Sequence, residues 1–143
     1  MMKDSPRLYA EKEIEIRFNE VDMMGVVWHG SYAAYLEDAR EAFGAKYGLS
    51  YSKYIEEMVF APVVELNFSY KKPLRYGMKP LVRISYCPTD AAKLVFDYEI
   101  LDPADGEIYL KATSVQVFMD RDYHLLWESP GFYTEWKKQM GVL

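Results

Sequence analysis

Between Ser31 and Gly48 the apolar residues Tyr32, Tyr35, Leu36, Ala39, Phe43 and Tyr47 recur at spacings of three and four. That period is one stripe of an α-helix, here about five turns at 3.6 residues per turn. Glu37, Asp38, Arg40, Glu41 and Lys46 take mostly the opposite side. Ser31 is placed to cap the helix and Gly48 to end it, with Gly44 as its one weak internal point. On both sides of this stretch the period is two. Ile14, Ile16 and Phe18 alternate with Glu13, Glu15 and Arg17, which predicts a half-buried strand over 13–18.

After the helix the chain reads as β-structure. Val64, Leu66, Phe68 and Tyr70 alternate with Glu65, Asn67 and Ser69. Further strands are expected at about 80–87, at 93–101 with Leu94, Phe96, Tyr98 and Ile100 on its apolar face, and at about 107–119. Turns at Pro88-Thr89-Asp90 and from Pro103 to Gly106 separate them, Asp105-Gly106 being suited to positive φ. Ser129 and Pro130 resemble an N-cap and first helical position, opening a short helix with Phe132, Tyr133, Trp136 and Met140 inward. A strand, a long helix, then four strands in meander order describe an α+β fold with an antiparallel sheet. One long helix leaves the far face and edges of five strands to be covered, and oligomerisation is the simplest cover.

Composition excludes several classes. The 143 residues suit a single domain, expected to span 1–143. Seventeen basic against 22 acidic residues give −5, a balance that argues against nucleic acid, whose affinity rests on neutralised phosphates. The single cysteine, Cys87, forms neither an internal disulfide nor a multi-cysteine zinc site. The opening MMKDSPRLYAEKE has no apolar run that would make a secretory leader, and no stretch approaches the ~20 apolar residues that span a bilayer. A cytoplasmic location without membrane insertion is expected.

No GxGxxG, P-loop, HExxH or GxSxG is present, and His29 and His124 lack the local cysteine or histidine partners that zinc clusters use, so no metal site is expected. His124 receives no role. The informative run is DMMGVVWHGS, residues 22–31, which sets Asp22 in a loop seven residues before His29 at the start of a helix. Free N–H groups at a helix start can hold a developing oxyanion. A nearby carboxylate can attack an acyl carbon or activate a water. Gly25 and Gly30 let the backbone approach a ligand closely. These are parts for acyl transfer to water. The alternative is structural: a loop Asp as a turn residue, a His satisfying local backbone.

The run IRFNEVDMMGVVWHGSYAAYLEDAR, residues 16–40, closely resembles the signature of hotdog-fold acyl-CoA thioesterases of the 4-hydroxybenzoyl-CoA thioesterase family. The shared pattern is an arginine-aromatic strand end, acidic-x-Asp, Gly-x-Val-aromatic-His, then a helix opening with Tyr-x-Glu-x-x-Arg. KLVFDYEI at 93–100 resembles the family's penultimate strand. The resemblance implies a hotdog fold, a long central helix wrapped by a five-stranded antiparallel sheet. It implies hydrolysis of an acyl-CoA to a free acid and CoA, with Asp22 as general base or nucleophile. The backbone at His29, Gly30 and Ser31 would form the oxyanion site, with the His29 side chain positioning water or carbonyl. Gly25, Val26, Val27 and Trp28 would border the substrate. Lys71, Lys72 and Arg75 are the candidate clamp for the CoA phosphates.

It further implies a homodimer or homotetramer with substrate at the subunit interface, and no cofactor beyond the CoA of the substrate itself. Ser31 stands where the family usually has Asn, and serine can still cap the helix. Glu37 and Asp38, the positions available to siblings that use a helix carboxylate, read as solvated surface. A hotdog hydratase or dehydratase, or a non-catalytic acyl-CoA-binding module, are the rival readings.

Overall fold

The protein is described by a computed structural model covering residues 8–143; the leader-free reading of residues 1–7 lies outside the described residues. Five strands, β1 (Tyr9–Glu13), β2 (Val63–Tyr70), β3 (Leu81–Cys87), β4 (Lys93–Leu101) and β5 (Ile108–Val117), form one sheet in the order β1-β3-β4-β5-β2. Every neighbouring pair is antiparallel. Helices α1 (Tyr32–Tyr47), α2 (Tyr51–Glu56) and α3 (Gly131–Met140) complete the regular structure.

The period-two pattern of β3 and β4 buries Val82, Ile84, Tyr86, Leu94, Phe96, Tyr98 and Ile100 on one face. The α1 stripe lies against the β1 and β3 side of that face, with Leu36, Ala39 and Phe43 fully enclosed. The Phe43 ring meets Phe96 edge-on at 4.8 Å and also packs near Trp136 of α3. Full burial of such a ring contributes about 1.5–3 kcal/mol. Buried hydroxyls pair with one another: those of Tyr98 and Ser114 lie 2.6 Å apart, as do those of Tyr86 and Tyr133, whereas the buried Gln116 Oε1 has no partner among the described residues. Arg40, assigned to the polar side of α1, reaches inward and donates to the Tyr98 oxygen at 3.2 Å.

Three expectations are corrected. The first strand lies upstream of 13–18, at Tyr9–Glu13. Ile14 still donates to the Pro80 carbonyl at 2.9 Å, but Pro80 has no N–H to return and the ladder ends there. Ile14 and Ile16 remain buried, whereas Phe18 is 77% exposed. Second, the four later strands are not a simple meander. Only β3-β4-β5 is one; β2 crosses to the far side of β5, and the connection 71–80 with Pro73 and Pro80 makes no tight turn. Third, Ser129 stands outside α3, whose N-cap is Pro130, while Tyr133 and Trp136 are buried as expected.

Helix α2 had no counterpart in the sequence reading, since six residues are too few to show a period. At the end of α1, Gly48 is left-handed (φ 86°) and its N–H bonds to the Gly44 carbonyl. Gly44 is no weak point, because a β-carbon there would overlap the Leu49 carbonyl as the chain folds back.

β2 is one of the two sheet edges, β1 being the other; among the described residues no strand pairs with its far side, and Val64, Leu66 and Tyr70 stand in solvent at 51%, 36% and 50% exposure.

Candidate active site

The run after β1 folds into a small hairpin. Val21 pairs with Val27, the Asp22 N–H donates to the Val26 carbonyl at 2.9 Å, and the Gly25 N–H closes the turn on the Asp22 carbonyl. Gly25 has φ 78°, a conformation that suits glycine. Asp22 Oδ1 accepts the N–H groups of Met24 at 2.8 Å and Val26 at 3.3 Å. The carboxylate therefore shapes its own turn with one oxygen.

The returning arm of the hairpin is held on both sides. Val27 donates to the Leu74 carbonyl and Tyr76 donates to the Gly25 carbonyl, which sets Arg75 opposite Val26. On the other side, Trp28 donates to the Glu20 carbonyl at 2.8 Å. The chain then turns through one 3-10 turn, His29–Ser31, into α1. Ser31 is already helical (φ −80°, ψ −18°) and makes no capping bond. Its N–H is used by the Trp28 carbonyl, and its hydroxyl donates to the Glu20 carbonyl at 3.4 Å. The expected N-cap role of Ser31 is thus corrected: the 3-10 turn shifts the helix start upstream to Trp28. The N–H groups of His29 and Gly30 bond to no other group among the described residues. They are the available donors at the positive end of α1.

The expected site residues fall into two groups. Asp22, Gly25, Val26 and Val27 form the hairpin, and Trp28, His29, Gly30 and Ser31 form the adjoining helix start. Val27 is buried, so it supports the hairpin from beneath; Trp28 and His29 are exposed, their rings 4.9 Å apart. No hydrogen bond joins the Asp22 and His29 side chains among the described residues. The His29 carbonyl accepts the Tyr70 hydroxyl at 3.3 Å, tying the helix start to the end of β2. Of the three expected cations, Arg75 lies beside the hairpin, Lys71 is exposed past the end of β2, and Lys72 is turned to Glu107 at 2.8 Å.

Glu20, the acidic residue of the acidic-x-Asp pattern, and Tyr35, in the helix stripe, were given no site role from the sequence. Glu20 Oε1 accepts the Arg17 N–H at 2.8 Å and the Tyr35 hydroxyl at 2.7 Å. Burial, then the hydrogen bond to Glu20, push the Tyr35 phenol up, so it stays protonated and donates. The spacing Arg17-x-x-Glu20 carries the signal of a glutamate returning to the backbone three residues earlier. A groove of about 970 Å³ opens against Glu20, Tyr35, Arg17 and Tyr76. A larger apolar cleft of about 1010 Å³ lies farther along α1, between Phe43, Tyr54, Phe60 and Phe96. His124 forms an exposed turn with Asp120 and Asp122. Asp120 accepts both of their N–H groups, and the His124 N–H first among these bonds holds the Asp120 carboxyl below its usual range.

A long helix laid on an antiparallel sheet in the order β1-β3-β4-β5-β2 matches the hotdog fold of known thioesterases. Residues 16–136 match the sequence model of the Thioesterase-like superfamily, and the chain belongs to that family. It is 40% identical over 113 residues to YneP of Bacillus subtilis (strain 168), whose name carries a provisional acyl-CoA thioesterase assignment; the match covers 79% of this chain and 81% of YneP. It is 30% identical over 115 residues to the Arabidopsis thaliana chloroplast protein acyl-acyl carrier protein thioesterase ATL3, covering 80% of this chain and 60% of that one. Among solved structures, the DHNA-CoA thioesterase of Staphylococcus aureus superposes with a TM-score of 0.83 at 30% identity, covering 94% of this chain and 92% of that one.

Proposed function

We propose that this chain hydrolyses acyl-CoA thioesters at the junction of the Asp22 hairpin and the start of α1. One observation carries the reading: the His29 and Gly30 N–H groups bond to no acceptor among the described residues and stand directly after a hairpin that presents a carboxylate. The thioester carbonyl oxygen would accept those N–H groups, which strengthen as charge develops on it. Asp22 would then deprotonate the attacking water or attack the carbonyl carbon itself, forming an anhydride that water opens. In either route the C–S bond breaks, CoA leaves as thiolate and takes up a proton, and the acyl group leaves as the acid. No metal or organic cofactor enters these steps.

Arg75, beside the hairpin, is the cation best placed for a CoA phosphate; Lys72 would first have to leave Glu107. The bare β2 edge supports a homodimer in which two such strands join, with pairing of dimers into a tetramer as a further step. Among the described residues no helix is long and apolar enough to cross a membrane, and a cytoplasmic site of action completes the reading.

The test is a panel of short, long and aromatic acyl-CoAs, followed by free thiol, with Asp22→Asn alongside. Thiol release that the variant lacks supports the reading. A single turnover in ¹⁸O-water separates the routes, since only a nucleophilic Asp22 acquires label. Because Asp22 Oδ1 is engaged by its own turn, an acyl-CoA-binding module is the second reading. Binding of the esters with no thiol release would establish it, and loss of the thioester's acyl double bond or hydroxyl with the thioester intact would mark a hydratase or dehydratase.

A further inference from the structure

We propose that Glu20 is the positioning residue of this site, the latch that holds the Asp22 carboxylate and the His29 and Gly30 amides in one fixed arrangement. The assignment rests on the thioester-hydrolysis reading above and gives a role to the acidic residue two positions before Asp22. Its basis is convergence. Glu20 Oε1 accepts from the Arg17 N–H and the Tyr35 hydroxyl, while the Glu20 carbonyl accepts from the Trp28 N–H and the Ser31 hydroxyl.

These bonds reach in different directions. Arg17 lies on the chain entering the hairpin, Tyr35 is one turn inside α1, and Trp28 and Ser31 flank the two free amides. One residue therefore joins the outgoing arm, the returning arm and the helix. The hairpin tip carries the exposed side chains of Asp22, Met23 and Met24; its own turn bonds and the Tyr76 N–H on the Gly25 carbonyl hold its shape, and the Glu20 contacts add its link to the helix. Tyr35 itself is buried, so its hydroxyl is a rigid anchor for the Glu20 carboxylate.

An exposed turn that carries a reacting group gains rate only if it is held in place. A displacement of about 1 Å in such a group can cost ~100-fold. The Glu20 side chain touches no reacting atom in this scheme; it acts through the backbone it fixes.

The experiment compares Glu20→Ala, Glu20→Gln and Tyr35→Phe with the wild type. Each is measured by kcat and KM for the best acyl-CoA and by hydrogen exchange over residues 21–31. Glu20→Ala is expected to lower kcat about 10- to 100-fold, with KM changed less than about threefold, and to speed exchange in that segment. Glu20→Gln keeps an oxygen that accepts both bonds and is expected to retain kcat within about threefold, with Tyr35→Phe between the two. Should Glu20→Ala fail to fold, Tyr35→Phe carries the comparison. Wild-type kcat and exchange in Glu20→Ala or Tyr35→Phe would overturn the latch. Equal loss in Glu20→Gln and Glu20→Ala with exchange unchanged would also overturn it, because the charge would then act on the reaction directly. If the wild type releases no thiol from any ester, the hydrolysis reading fails, and unchanged exchange in Glu20→Ala would separately remove the latch.

Discussion

The six-membered ring of Trp28 lies over Gly30, in the space a β-carbon at that position would occupy. The glycine that the sequence suggested for close approach of a ligand is approached by the neighbouring side chain instead. Trp28 is 55% exposed, so its ring has somewhere to go. Gly30→Ala is accordingly expected to fold with stability within about 1 kcal/mol of wild type, because an exposed ring can rotate away at modest cost. The displaced ring would change the surroundings of the Gly30 amide, and kcat/KM should fall about tenfold or more. Denaturant unfolding and thiol-release kinetics on one preparation check both halves.

Gly44→Ala should do the opposite of what helix propensity says. In an open helix interior, alanine is favoured over glycine by about 0.8–1 kcal/mol. Here the new methyl would run into the Leu49 carbonyl, part of the backbone that Gly48 turns back on the helix. A net loss of about 1–3 kcal/mol is expected, the usual scale for overpacking a fixed contact. The urea midpoint decides the sign.

Asp22 separates shape from chemistry. Asparagine keeps the oxygen that accepts the Met24 and Val26 N–H groups, whereas alanine removes it. Asp22→Asn should therefore hold stability within about 0.5 kcal/mol, and Asp22→Ala should lose about 1 kcal/mol, the scale of a lost side-chain acceptor in a turn. Both should lose turnover. Thermal unfolding beside kinetics would show whether the two effects part.

The β2 edge predicts the oligomer. Leu66→Lys places a charge midway along the exposed strand, where a second copy would have to dock. Light scattering should give a mass near that of one chain for the variant and an integral multiple for the wild type. A monomeric wild type would refute the joined-edge arrangement.

Alkaline pH should unfold the protein through its tyrosines. Burial pushes the Tyr54, Tyr86, Tyr98 and Tyr133 phenols above their ordinary value near 10. The folded chain then holds these protons more tightly than the unfolded one, so their contribution is fully present below about pH 10 and is lost as the pH rises beyond it. The urea midpoint should be flat between pH 8 and 9.5 and fall above 10. Phenolate absorbance for the buried rings should appear together with unfolding.

How much of this was legible in the sequence differs from element to element. The α1 stripe read correctly because helix period and burial coincide at Tyr32, Tyr35, Leu36, Ala39 and Phe43. β3 and β4 read correctly for the matching reason at period two. The first strand misread because Ile14 and Ile16 are buried without a ladder, and side-chain alternation cannot report that Pro80 lacks an N–H. The place of β2 was invisible, since pairing with β5 depends on residues 40 or more positions away. At the site, the motif marked Asp22, His29 and the acidic residue at Glu20, but Glu20's bond to Tyr35 was invisible because that partner lies 15 positions on.

The edge strand β2 is also made well before its partner. Val63 pairs with Gln116 and Tyr70 with Leu110, so β2 leaves the ribosome well before the strand that will shield its inner edge. At about 5–20 residues per second the wait is on the order of seconds. When β5 arrives it covers one side only, and the other stays open in the single chain. Production of this protein should therefore be most prone to clumping when chains are numerous and still incomplete, and slower synthesis in the cold should raise the soluble yield.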